Sequence, residues 1–213
     1  MKPVPTPIEP PFDVQKVQRL RKMVIWAFLI AALAAIPFVG SRGELGVNTH
    51  ELLQTVGLCA IFICIIGRSW CSLYIGGRKK AEVVQTGPYS VCRNPLYLFS
   101  FLGTAGIGAQ TGSFVITGVF VIAAMGLFYA VVGKEEQWLS TRFGYDYDAY
   151  KTRTPRFLPN FSLWRDEQSL VVNPRFFLRT VGDGMIFVLA VPLFEAINIA
   201  QSVGLLPVKV PLL

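Results

Sequence analysis

Long apolar stretches separated by short polar, glycine- and proline-marked breaks dominate this chain. Residues 23–39, 52–67, 96–110, 114–133 and 178–206 approach the ~20 residues needed to cross ~30 Å of hydrocarbon. Gly76-Gly77 ends the second stretch, which runs on through Trp70, Leu73, Tyr74 and Ile75. Pro95 restrains Asn94 to extended backbone and opens the third. That third stretch covers only ~23 Å as a helix, so it is short or begins in the interface. Thr111-Gly112-Ser113 is a tight turn, which makes the third and fourth stretches a hairpin. The pattern therefore predicts an all-α polytopic membrane bundle of about five transmembrane helices. Residues 1–22 form a separate N-terminal segment, proline-rich at first and then amphipathic from 13 to 22. Residues 23–213 form one membrane domain, and its fifth span is entered through an amphipathic stretch at 173–179.

Composition agrees with this class: 53% of the 213 residues are hydrophobic and 15% charged, below the ~25% charged share of soluble domains. The net charge of +7 matters through its placement. Lys and Arg precede the first stretch, follow the second and follow the fourth, whereas the connector 40–51 holds only Arg42 against Glu44 and Glu51. The positive-inside rule then puts the N-terminus and residues 76–95 and 134–177 on the cytoplasmic side, as in a bacterial inner membrane. Orientation and anionic headgroups account for the basic excess, so nucleic acid is not an expected partner. The four cysteines contain no Cys-x-x-Cys pair, and the single histidine, His50, falls in the outer connector. A histidine base and a His/Cys metal cluster are thereby excluded from the cytoplasmic side, and no metal is expected. Gly103, Gly106 and Gly108, with Gly118 and Gly126, are expected to let helices approach closely. Glu195 and Asn198 share a face of the last span, as an intramembrane site or as a bundle-interior hydrogen-bonded pair.

Two polar segments flank the hairpin. The first reads Thr86-Gly87-Pro88-Tyr89-Ser90-Val91-Cys92-Arg93-Asn94-Pro95-Leu96-Tyr97. The second holds Glu135-Glu136, Phe143-Gly144, Tyr145, Tyr147, Tyr150 and Pro155-Arg156-Phe157-Leu158-Pro159. A short hairpin returns both to one side, where they form a single site. As an ordered set over residues 81–159 they resemble the integral-membrane S-adenosylmethionine-dependent methyltransferases, the isoprenylcysteine carboxyl methyltransferase and phospholipid methyltransferase superfamily. That pattern runs Gly-Pro-Tyr, His-Pro, Tyr, a transmembrane hairpin, Glu-Glu, Leu, Phe-Gly, spaced tyrosines and Pro-Arg-Phe. The resemblance implies S-adenosylmethionine as cofactor, held by Glu82, Val83, Val84, Tyr89, Asn94, Pro95, Leu96, Tyr97 and Glu135. Glu136, Tyr97 and Arg156 are the catalytic candidates.

Two departures bear on chemistry. The family's His-Pro is Asn94-Pro95 here, and asparagine hydrogen-bonds but does not titrate. The arginine that isoprenylcysteine enzymes carry one turn before the first glutamate is Val131 here. Taken alone, Glu135 and Glu136 read equally as the solvated end of the fourth span. The expected function is methyl transfer to a lipid or lipophilic small molecule drawn from the bilayer. An isoprenylcysteine-type carboxyl O-methyltransferase and a non-catalytic membrane scaffold or carrier are the alternatives. The acceptor and the oligomeric state stay open.

Overall fold

The computed structural model describes residues 39–40, 47–78, 81–206 and 210–211. The expected N-terminal segment 1–22 and almost all of the first span, residues 23–39, lie outside them. The elements run β1 (Val39–Gly40), α1 (Val47–Ile75), α2 (Pro88–Val91), α3 (Pro95–Ala109), α4 (Phe114–Phe143), α5 (Tyr145–Arg153), a 3-10 turn at Phe161–Leu163, α6 (Pro174–Val188), α7 (Ala190–Ser202) and β2 (Val210–Pro211). β1 and β2 pair in parallel through Val39 with Val210 and Gly40 with Pro211. Among the described residues, Thr49–Ile75, Phe114–Phe143 and Pro174–Ser202 are long and apolar enough to cross a membrane, and Pro95–Ala109 is a shorter apolar helix.

Helix lengths decide where the polar segments stand. α1 has 29 residues and α4 has 30, so each spans ~43–45 Å at 1.5 Å per residue. Both exceed the ~30 Å hydrocarbon core. The last turns of α4, with Glu135, Glu136 and Arg142, therefore extend past it as unbroken helix. Gly144, at φ 52°, then ends α4 and starts α5, its N–H bonding Ser140 O at 2.8 Å. Asp146 and Asp148 lie in the first turn of α5 and Lys151 and Arg153 in the last, the order that suits the helix dipole.

The bundle is tightest between α1 and α3. A Cβ on Gly106 would sit 2.6 Å from Gly57 O, and one on Gly57 would sit 2.8 Å from Gly106 O. Only glycine lets these backbones touch. Gly108 faces Thr117 of α4 in the same way, at 2.8 Å. The expectation fails for Gly118 and Gly126, since a Cβ on either meets nothing within 4 Å. They lie on the open side of α4. His50 abuts the Gly112 turn, at the end of the hairpin remote from the two polar segments.

The last span is interrupted. Leu189 breaks the helix into α6 and α7 because Pro192 has no N–H for the Val188 carbonyl one turn earlier. Glu195 is exposed, while its neighbour Phe194 is buried. The expected placing of Glu195 in a bundle-interior hydrogen-bonded pair is corrected accordingly. α6 packs on α1 through Gly184 and Ile65.

Candidate active site

The Gly87-Pro88 turn sets the first half of the site. Gly87 has φ 57°, and a Cβ there would overlap the Tyr74 ring. The position is thus closed to other residues both conformationally and by space. Pro88 opens the one-turn helix α2 and Pro95 opens α3, each at a first-turn position where its missing N–H costs nothing. Between them, Cys92 to Asn94 are extended or irregular and point side chains into the bundle end.

Segment 150–165 clasps this turn. Gly87 N bonds Arg165 O at 2.7 Å, Arg93 N bonds Pro155 O at 2.9 Å, and Asn160 N bonds Val91 O at 2.9 Å. The Tyr150 hydroxyl donates to Tyr89 O at 2.6 Å. The Cys92 thiol donates to Phe157 O at 3.3 Å. Burial pushes that thiol up to about 11, so it stays protonated at neutral pH and offers no thiolate for attack or metal binding.

Glu136 is the centre of the second half. Its side chain is nearly closed to solvent and meets one hydrogen-bond donor and two guanidinium charges. Arg156 Nη2 lies 3.0 Å from Oε2, Arg93 Nε 3.2 Å from Oε1, and Asn94 Nδ2 donates to Oε1 at 3.0 Å. Asn94 Nδ2 also reaches Arg156 O at 3.2 Å, and Arg93 Nη1 bonds Lys151 O at 2.9 Å. The Arg156 guanidinium lies 5.1 Å from the centre of the Tyr129 ring on α4. The reading of Glu136 as a solvated helix-end charge is corrected by this burial.

Glu135 is half-buried on the same turn of α4. Burial holds the Tyr89 phenol well above its usual range, and the nearby Glu135 carboxylate adds to the shift. Burial likewise raises Tyr147, with Glu136 the next cause and Glu135 also contributing. These effects bring Glu135, Tyr89 and Tyr147 into one electrostatic neighbourhood. The Tyr89 hydroxyl is buried and, among the described residues, has no hydrogen-bond partner. Tyr97 is buried against Phe128, Val131 and Val132 of α4, its ring 5.5 Å from that of Phe128.

The expected site residues divide accordingly. Asn94, Glu136 and Arg156 are in direct contact. Tyr89, Tyr97 and Glu135 share their electrostatic surroundings. Pro95 is buried at the start of α3, and Val84, with Leu96 against it, packs in the core of Cys71, Tyr74 and Tyr89. Val83 is half-buried. Glu82 is exposed and pairs with Arg78 at 2.6 Å. It lines a separate depression of about 950 Å³ with Arg78, Glu167 and Arg175, of which Tyr89, Asn94 and Glu136 are no part. Sequence reasoning missed the roles of Arg93 as a ligand of Glu136 and of Tyr150 as a brace. The i, i+3 spacing of Tyr147 and Tyr150, which puts both on one face of α5, was the available signal.

Residues 53–146 match the family model of the phospholipid methyltransferases. The nickel-cobalt-cadmium resistance protein NccN of Alcaligenes xylosoxydans xylosoxydans is 39% identical over 183 residues, 86% of this chain and 85% of that protein. The cobalt-zinc-cadmium resistance protein CzcN of Cupriavidus metallidurans is 35% identical over 189 residues, 88% of this chain and 87% of that protein. The chain belongs to the family of these two proteins, and its residues 53–146 are similar to the phospholipid methyltransferases. A protein-S-isoprenylcysteine O-methyltransferase of Schizosaccharomyces pombe is 29% identical over 94 residues, 44% of this chain and 40% of that protein. No solved structure matches significantly. The family and the three apolar helices make the chain an integral membrane protein with a methyltransferase-family domain.

Proposed function

We propose that the protein is an S-adenosylmethionine-dependent methyltransferase acting on a lipid or lipophilic small molecule of the bilayer. It has five spans in this reading, with the site on the cytoplasmic side. The observation that carries it is the Tyr89 hydroxyl on the Gly87-Pro88 turn, a buried polar atom without a hydrogen-bond partner among the described residues. Leaving such a group unsatisfied costs about 1–3 kcal/mol, and the cost is relieved if a polar ligand sits against it. Glu135, whose charge acts on that phenol, supplies the anion that an ammonium or a ribose diol requires. The residues therefore fit the cofactor: Tyr89 and Glu135 bind its polar groups, and Tyr97 closes the apolar side toward α4.

When bound, S-adenosylmethionine supplies a methyl group already activated for displacement. What the chain must add is alignment of the acceptor and exclusion of water. Glu136 is assigned an organising role, because Arg93, Arg156 and Asn94 already occupy its carboxylate. It fixes Arg156 and the Asn94 amide at the mouth of the site. Asn94 takes the histidine's place as a hydrogen-bonding support and moves no proton. An acceptor that arrives without a proton to lose, such as a carboxylate, needs no base in this arrangement. An amine would pass its proton to Glu135 or Tyr97.

The names of the two long relatives favour a second reading, a non-catalytic part of a heavy-metal resistance system. Calorimetry with S-adenosylmethionine on detergent-purified full chain separates the two. Binding in the micromolar to sub-millimolar range is expected, and no heat from folded protein would leave the second reading. Metal tolerance of cells carrying Glu135→Gln tests whether the chemistry serves resistance. The catalytic reading expects tolerance to fall with cofactor binding, and the scaffold reading expects it unchanged. Orientation is checked with an impermeant thiol reagent. Phe114→Cys at the hairpin should be labelled from outside, and Tyr145→Cys only from inside.

A further inference from the structure

We propose that the connector 155–173, between α5 and α6, is itself a membrane element. It lies in the headgroup layer with apolar side chains inserted and free arginines against anionic lipid. Leu158, Phe161 and Val171 are 81%, 73% and 88% exposed, although they fall outside every candidate span. Large apolar side chains grouped in this way and rimmed by polar residues mark an interaction surface.

Three observations identify the occupant as lipid. The first is depth. Trp164 stacks on Trp70 with ring centroids 5.8 Å apart, and Trp70 lies five residues before the end of α1 at Ile75. At the far end of the connector, the start of α6 rests on the same level, with a Cβ on Gly76 falling 3.2 Å from Phe176 Cβ. The middle of the connector and its far end are therefore tied to the place where a spanning helix leaves the hydrocarbon, the depth at which tryptophan collects.

The second is charge. Asp166 accepts from the Tyr74 hydroxyl at 2.9 Å, and Glu167 takes Arg78 Nη2 at 3.0 Å and the Thr86 hydroxyl at 2.7 Å. Both acids are engaged from within the chain. Arg165 and Arg175 are exposed and, among the described residues, form no ion pair. Their guanidiniums are thus open to the phosphates of an anionic headgroup layer.

The third is rigidity. Backbone bonds from Gly87 N to Arg165 O and from Asn160 N to Val91 O, and the Asn160 Oδ1 cap on Ser162 N, hold the connector in place. Its apolar side chains are thus kept outward. The patch also continues the exposed apolar surface of α6 at Phe176 and Leu178. The same connector delivers Arg156 to Glu136, so membrane contact and candidate site share one backbone.

The test uses full-length protein in nanodiscs of phosphatidylcholine with and without phosphatidylglycerol. Nitroxide labels are placed by Phe161→Cys and Val171→Cys in a Cys59→Ser background, the other three cysteines being buried. Asp148→Cys on α5 is the exposed control. Labels at 161 and 171 should be reached by oxygen and protected several-fold from a water-soluble nickel chelate, relative to the control. Arg165→Gln with Arg175→Gln should reduce that protection only where phosphatidylglycerol is present. Chelate access equal to the control's overturns the proposal. So does protection accompanied by spin–spin broadening between copies, which would make the patch a self-association surface. As a measurement free of cysteine variants, brominated-lipid quenching of tryptophan emission should fall on Trp164→Phe, and unchanged quenching also overturns it.

Discussion

Asn94 and Glu136, 42 positions apart in the chain, meet at 3.0 Å through one amide N–H and one carboxylate oxygen. Both are buried. The bond joins the start of α3 to the C-terminal end of α4, and the same amide nitrogen also holds Arg156 O at 3.2 Å. Asparagine suits the position because it offers two N–H bonds at once without changing charge.

Asn94→Leu should therefore destabilise the protein by about 1–3 kcal/mol, the range for a buried group left without its partner. Asn94→Asp should be worse, because it sets a second carboxylate against Glu136. Thermal unfolding in detergent, followed by tryptophan emission, gives the order wild type, Asn94→Leu, Asn94→Asp. Equal stability of all three would show that the bond is incidental.

Glu135→Gln and Glu136→Gln should fail differently. Glu136→Gln leaves two arginines facing a neutral amide, and breaking a buried pair costs up to about 3–5 kcal/mol. Partial exposure of Arg156 places the expected loss toward the lower end of that range. Glu135→Gln should leave melting almost unchanged and weaken S-adenosylmethionine about ten- to a hundred-fold, the worth of one charged hydrogen bond. Calorimetry and melting on both variants test the split. A Glu135 variant that binds normally removes that residue from the site.

Glycine positions give a second contrast. Gly87→Ala combines φ 57° with overlap on Tyr74, so it should prevent the turn from closing and strip the clasp from segment 150–165. Gly118→Ala meets open space and should be neutral or stabilise by about 0.5–1 kcal/mol, since alanine is the better helix former. Yield and melting of the purified variants decide it.

These glycines mark what the chain made legible and what it hid. Hydrophobic periodicity and the Thr111-Gly112-Ser113 turn gave the hairpin, and the hairpin brought residues 86–97 beside Glu135 and Glu136 as expected. Periodicity could not tell which side of α4 would lie against α3, so Gly118 and Gly126 were assigned to packing that Gly108 makes instead. The resemblance gave Glu82 to the site through its backbone, and the direction of its side chain, toward Arg78 four residues before it, is a separate matter. The irregular stretch 81–86 has no period from which to infer side-chain direction. The pairing of Arg93 with Glu136 depends on how the extended residues after α2 turn, which is a tertiary property.

Acid should release the strap at Arg165 to Glu167. Hydrogen bonds from Arg78 and Thr86 hold the Glu167 carboxyl below its ordinary value. A depressed folded value stabilises fully above the unfolded value of about 4.3 and is lost as pH falls through the folded one. The group is largely solvated, so the effect is local. The amide of Gly87, bonded to Arg165 O at 2.7 Å, reports on it. Its hydrogen exchange, corrected for intrinsic pH dependence, should accelerate below about pH 4. In Glu167→Gln that pH dependence should disappear, and its persistence would assign the release to another carboxyl.

Tyr89→Phe separates a ligand-binding phenol from a merely buried one. The hydroxyl has no hydrogen-bond partner among the described residues, so its removal takes away a desolvation cost and no bond seen there. Stability should stay level or rise slightly, since deleting an unsatisfied buried group is neutral to favourable. Tyr150→Phe is the counterpart. It deletes a real bond, to Tyr89 O at 2.6 Å, and should cost about 0.5–1.5 kcal/mol. Cofactor affinity should move the other way: Tyr89→Phe should weaken S-adenosylmethionine by about tenfold, one neutral hydrogen bond to ligand. Tyr150→Phe should affect affinity only as far as the turn loosens. If Tyr89→Phe melts higher and binds as well as wild type, the orphaned phenol is a packing residue, and the fit of this turn to the cofactor rests on Glu135 alone.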